Sequence, residues 1–282
     1  MGANGVDIFF VISGFVMLHT QLIQRRPPYQ FLKNRIIRIV PTYWGITLFV
    51  ILIYLFFPSL FRGMVITPDW VISSFLFFSS IFADKYPILY VGWTLEWEML
   101  FYVIFAFGLF FSSWRFQSGF VVLAISVVCI LFGEFIAIEF LLGMLVAYIY
   151  RKFNLGNHKG VVIFLFGCGL LLLSISSKVS TLQLDRVLIW GLPSFFIVWG
   201  LLYCPQIKIR LFKYLGDASY SIYLVHVLTI PAFYKFSSRL MYGWNGDILA
   251  LFCVASSVIF GCVIYSLMEK PATIKIKALW GH

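Results

Sequence analysis

The sequence predicts an all-α fold: a polytopic bundle of transmembrane helices with about nine spans plus one short re-entrant or interfacial segment. Three observations predict it. Of the 282 residues 62% are hydrophobic and only 11% charged, with a mean hydropathy of +0.97, a balance outside the range of soluble globular domains. Apolar stretches close to the ~17–25 residues that a helical crossing needs recur along the chain. Lys and Arg concentrate in alternate loops between those stretches, as they do on the cytoplasmic side of membrane proteins.

The apolar stretches are 6–23, 39–61, 70–83, 93–112, 119–133, 135–150, 160–176, 187–202, 218–236 and 248–268. The first carries Asp7 at its head and lacks both the basic start and the small-residue cleavage site of a signal peptide, so it stays in the mature chain. The second follows a basic loop and opens on Arg35, Arg38, Pro41 and Trp44, with Pro41 suited to a first helical turn. The third is too short to cross and is read as the re-entrant segment. The fourth holds Glu96 and Glu98 inside WTLEWEMLFY. Glu134 and Glu139 flank the turn into the sixth, where plain solvation is one reading of both. With the third stretch entering and leaving on one side, fifteen of the 21 Lys and Arg share a compartment. The six at Arg62, Lys85, Lys178, Arg186, Lys235 and Arg239 face the other. That places the C-terminus in the cytoplasm and the N-terminus outside, in a multi-pass protein of the cell (inner) membrane.

Composition also excludes functions. The formal charge of +10 does not point to nucleic acid, because the basic residues are scattered and form no single face. Cys129, Cys168, Cys204, Cys253 and Cys262 lie in or beside apolar stretches without metal-ligand spacing, so neither a metal nor a disulfide framework is expected. No repeat, low-complexity tract or polar linker divides residues 1–282, which read as a single membrane domain.

Few residues are equipped for chemistry. Arg35 and Arg38, spaced i, i+3, project from one helix face. They read either as interfacial arginines reaching lipid phosphates or as a fork for the phosphates of a cytosolic nucleotide-bearing donor. Asp7 reads either as a cap on the first helix or as a buried functional acid. Glu96 and Glu98, two residues apart, face different sides, and at least one must meet a polar interior. Ser219, Tyr223 and His226 recur at helical spacing as a polar stripe, fit either for packing or for lining a cavity.

The motifs GVDIFFVISGFVM, FLKNRIIRIVPTYW, WTLEWEMLFY, EFLLGMLVAY, LGDASYSIYLVH and the closing Glu269-Lys270-Pro271 occur in one order across nearly the whole chain. In that order and spacing the sequence resembles the acyltransferase 3 family of integral membrane O-acyltransferases, in particular its exopolysaccharide-modifying acetyltransferase branch. The resemblance implies about ten spans, a cytosolic acyl-CoA cosubstrate (commonly acetyl-CoA), and transfer to a sugar hydroxyl of a polysaccharide or lipid-linked acceptor beyond the membrane. It also implies that Arg35 and Arg38 bind the donor. Catalytic roles fall on Glu98, Asp7 and His226, and substrate-binding roles on Ser219, Tyr220 and Tyr223.

Family members carry a basic residue, followed ten positions later by a histidine acting as general base, on a helix before the GVD motif. This sequence starts after that helix, and His19 lies on another. The expectation is therefore a chain lacking the first family helix, either through a misplaced start or as a truncated copy without useful turnover. A transporter or flippase whose Asp7, Glu98 and His226 line a path is the alternative from another functional class.

Overall fold

The computed structural model describes residues 4–61, 64–83, 85–174, 183–206, 208–240 and 246–280. Arg62, Lys178 and His282 lie outside them. Among the described residues there are helices and no strand. In chain order they are α1 (Asn4–Ile23), α2 (Pro28–Phe56), α3 (Pro68–Phe75), α4 (Ser79–Phe82), α5 (Gly92–Gly108), α6 (Trp114–Phe132) and α7 (Ile138–Lys152). After them come α8 (Asn157–Ser174), α9 (Gln183–Arg186), α10 (Leu192–Leu201), α11 (Arg210–Leu240), α12 (Gly246–Ile264) and α13 (Lys270–Leu279). A π-helical turn, Val187–Gly191, joins α9 to α10, and another, Tyr265–Glu269, joins α12 to α13.

Asn4–Ile23, Pro28–Phe56, Trp114–Phe132, Asn157–Ser174 and Gly246–Leu279 are each long and apolar enough to cross a bilayer, and Val187–Leu201 is a shorter apolar helix. The protein is a multi-pass membrane protein. Exposed side chains agree: Leu48, Phe49, Leu52, Leu55 and Phe56 of α2 all face outward, which water would penalise and lipid does not. The third apolar stretch of the sequence is broken into α3 and α4, with Phe77 between them at a φ of 61°. Eight and four residues rise roughly 12 Å and 6 Å, well short of a hydrocarbon core of about 30 Å.

Two compact units make up the chain: unit 1 is Met1–Leu32 with Trp97–Gln206, and unit 2 is Lys33–Glu96 with Ile207–His282. Unit 1 is built on α1, α6, α7, α8 and α10. The backbones of α1 and α7 touch because each helix offers a glycine at the crossing. A Cβ on Gly14 would lie 2.0 Å from the Phe140 carbonyl oxygen, and one on Gly143 would lie 2.0 Å from that of Val11, the small-residue packing that membrane helices use. Phe10, Phe101 and Phe140 fill the neighbouring core, with the last two rings stacked at 4.3 Å. Helix α6 starts on a Ser113 cap that accepts from the Arg115 N–H and ends on Gly133 at a φ of 68°, the left-handed conformation open to glycine. The carbonyls of Leu109, Phe111 and Ser112, just beyond α5, accept from the Arg25 guanidinium, where a cation suits the negative end of a helix.

Unit 2 pairs α11 with α12, and Gly261 lets Ile222 approach: a Cβ there would come within 2.4 Å of it. Helix α2 begins at Pro28, eleven residues before the apolar stretch that marks it in the sequence. Pro41 therefore sits inside the helix and not in its first turn, where it leaves the Ile37 carbonyl without its usual donor. The tail is tied down by Lys33, whose Nζ donates to the Trp280 carbonyl at 2.7 Å.

Candidate active site

In unit 1, Asp7 in the first turn of α1 is completely buried. It is held by Arg186 at the end of α9: Nε donates to Oδ1 and Nη2 to Oδ2, each at 3.2 Å, in a bidentate ion pair. Asp7 thus does more than cap a helix, since its charge is answered by a guanidinium 179 positions away in sequence. Glu139, in the first turn of α7, is also completely buried and faces Asp7 and Arg186. Its burial corrects the solvated reading from sequence. Glu134, in the turn before α7, sits half-buried, and burial pushes its carboxyl above the ordinary range while nearby Arg186 opposes that shift.

Glu98 lies on α5, also in unit 1, and is 4% exposed. Its Oε1 accepts from the Ser13 hydroxyl at 2.9 Å and from the Tyr102 hydroxyl one turn along its own helix. Both donors are neutral hydroxyls, one from α1 and one from its own helix.

Unit 2 treats its acids differently. Glu96 is 1% exposed and accepts from the Ser79 N–H at 3.0 Å, the Ser80 N–H at 2.7 Å and the Ser80 hydroxyl at 2.5 Å. It binds the start of α4 and so anchors the short segment. Glu269 closes the π-helical turn before α13, where it is buried and accepts from the Ser221 hydroxyl at 2.5 Å, with Arg38 among its electrostatic neighbours. Arg35 is half-buried and Arg38 exposed, three residues apart on α2.

On α11, Tyr223 and His226 are half-buried while Ser219 is exposed. Ser221, two residues further on, is buried. The Tyr223 hydroxyl pairs with that of Thr94 at 2.6 Å and donates to the Val91 carbonyl at 3.2 Å, and the Tyr220 hydroxyl donates to the Ile39 carbonyl at 2.8 Å. His226 Nδ1 is hydrogen-bonded to the Tyr223 carbonyl. A carbonyl only accepts, so Nδ1 carries the proton there, and in the neutral ring Nε2 presents its lone pair.

The structure thus gathers Asp7 with Glu139 and Arg186, Glu98 with Ser13 and Tyr102, and Tyr223 with His226. Sequence reasoning passed over Arg186, Glu139, Ser13, Tyr102, Ser221 and Glu269 as site residues. One signal was available for Arg186: an acid inside an apolar helix calls for a cation on another, and Arg186 stands at the head of an apolar stretch. Among the described residues no three His, Cys, Asp or Glu side chains are grouped to hold a metal ion.

Comparison with known proteins places these observations in a family. No solved structure matches the chain. The exopolysaccharide production protein ExoZ of Rhizobium meliloti (strain 1021) is 32% identical over 291 aligned positions, covering 96% of this chain and 89% of the relative. The family model described as an acyltransferase domain matches residues 1–267. With that match spanning the GVD, RxxR, WTLEWE and LGDASYS motifs, the chain belongs to the acyltransferase 3 family.

Proposed function

We propose that this protein is a membrane O-acyltransferase that moves an acyl group, acetyl in the first instance, from cytosolic acyl-CoA to a sugar hydroxyl of a cell-surface or exopolysaccharide acceptor. The observation that carries the reading is the family match over residues 1–267, joined by 32% identity to a protein of exopolysaccharide production. We assign the bundle about nine spans, with the C-terminus in the cytoplasm of a cell-membrane protein. The distribution of Lys and Arg supports that orientation.

Arg35 and Arg38 take the phosphates of acyl-CoA, a role suited to guanidinium forks set three residues apart on one helix. The acceptor hydroxyl attacks the thioester carbonyl, forming the ester C–O bond as the C–S bond breaks, and its proton leaves with the coenzyme A thiol. Asp7, Glu98 and His226 orient the acceptor or the base that relays this proton, work that rests on placement. Tyr220, Tyr223 and Ser219 contribute hydroxyls to substrate binding.

The test supplies radiolabelled acetyl-CoA to sealed vesicles containing the full chain and a glycan acceptor. Label should reach the glycan, and Arg35→Ala with Arg38→Ala together should abolish transfer while the protein still inserts. Transfer retained by the double variant removes the donor role, and glycan crossing the membrane unlabelled would favour a transporter.

A further inference from the structure

Glu139 is an anomaly among the buried acids. Both of its carboxyl oxygens are buried and, among the described residues, receive no hydrogen bond from a protein donor. Its side chain meets the carboxyl of Asp7, itself completely buried. Two carboxylates have only acceptors to offer each other, so with both ionised the contact is repulsive and Glu139 is left unsatisfied.

Arg186 does not resolve this alone. Its Nε and Nη2 are both directed at Asp7, and one cation between two anions leaves a net negative charge where solvation is poor. The charged groups facing Glu139 are Asp7 from α1 and Arg186 from α9, while Glu134 from the turn before α7 faces Arg186. Gly191, the last residue of the π-helical turn, also packs against Glu139. A Cβ there would come within 3.1 Å of Glu139 Oε1 and 3.2 Å of its Cγ, so the turn is shaped to admit the glutamate side chain.

We propose that Glu139 and Asp7 form a proton-binding site in which one proton, carried by Glu139, bridges the two carboxyl groups beside Arg186. The proton turns repulsion into an O–H···O bond, gives Glu139 the partner it lacks and makes the cluster neutral. Asp7 then accepts from a guanidinium on one side and an acid on the other. Glu139 is a positioning residue that fixes the orientation of Asp7, and the site exists whether or not acyl transfer is the activity.

Infrared spectroscopy of the full chain in lipid nanodiscs at neutral pH tests the site directly. The wild type should show the C=O stretch of a protonated carboxyl. That band should vanish in Glu139→Gln, whose amide still donates to Asp7, and should move in Asp7→Asn, where the acid loses its anionic acceptor. A wild-type spectrum without such a band overturns the proposal. So does a band unchanged in Glu139→Gln, which would assign the proton to another buried acid. Should that variant fail to insert, Glu139→Asp must displace the band, and an undisplaced band again overturns the site.

Discussion

The two units each place a π-helical turn beside a buried acid, yet they satisfy the acid by different means. In unit 2, Glu269 lies on the turn itself and is met by the Ser221 hydroxyl, while Glu96 is met by two backbone N–H groups and a serine. In unit 1 the turn follows Arg186, and that cation pairs with Asp7 while Glu139 has no donor among the described residues. The difference separates two uses of a carboxylate in lipid. A carboxylate whose acceptors are filled by fixed backbone donors is a fastener. A carboxylate held by a side-chain cation, next to a second buried acid, depends instead on the charge of its neighbours.

That contrast is breakable. Arg186→Ala should do the most damage, destabilising the protein by roughly 3–5 kcal/mol in mixed-micelle unfolding, because it strands a fully buried anion. The double variant Asp7→Asn with Arg186→Met should recover most of that loss, and additive effects in the cycle would mean that the pair is not a unit. Glu96→Ala comes next, at about 3 kcal/mol, since it leaves the Ser79 and Ser80 N–H groups without their acceptor. If it also abolished acyl transfer while leaving stability intact, the description of Glu96 as a fastener would fail. Gly143→Ala forces a methyl against the Val11 carbonyl and should cost about 1–3 kcal/mol through displaced backbone, read as a lowered unfolding midpoint. Ser221→Ala should be mildest, near 1 kcal/mol in the same assay, because Glu269 loses a single neutral donor.

Much of the helical order was legible from sequence, because spans in lipid are written as runs of apolar residues. Each apolar stretch has its helix, including the short one that breaks into α3 and α4. Their starts were less legible. Helix α2 begins at Pro28, since hydropathy marks where lipid begins and the backbone is free to be helical before that. Motif order was enough to identify the family. It was not enough to pair residues distant in sequence: Asp7 was visible as a buried acid, but nothing local to it names Arg186. Ser219 and Ser221 stand two apart in one motif, and only packing against Glu269 distinguishes the exposed hydroxyl from the buried one. Glu139 looked like a turn residue because Glu134 nearby is one, and its burial follows from the α1 and α7 crossing.

That crossing has a consequence for traffic through unit 1. Where Gly14 and Gly143 let main chain rest on main chain, no gap remains for an acyl tail, a sugar or a file of water. The seam between these two helices is closed to passage, so anything that reaches Glu98 or Asp7 must arrive along another face of α1.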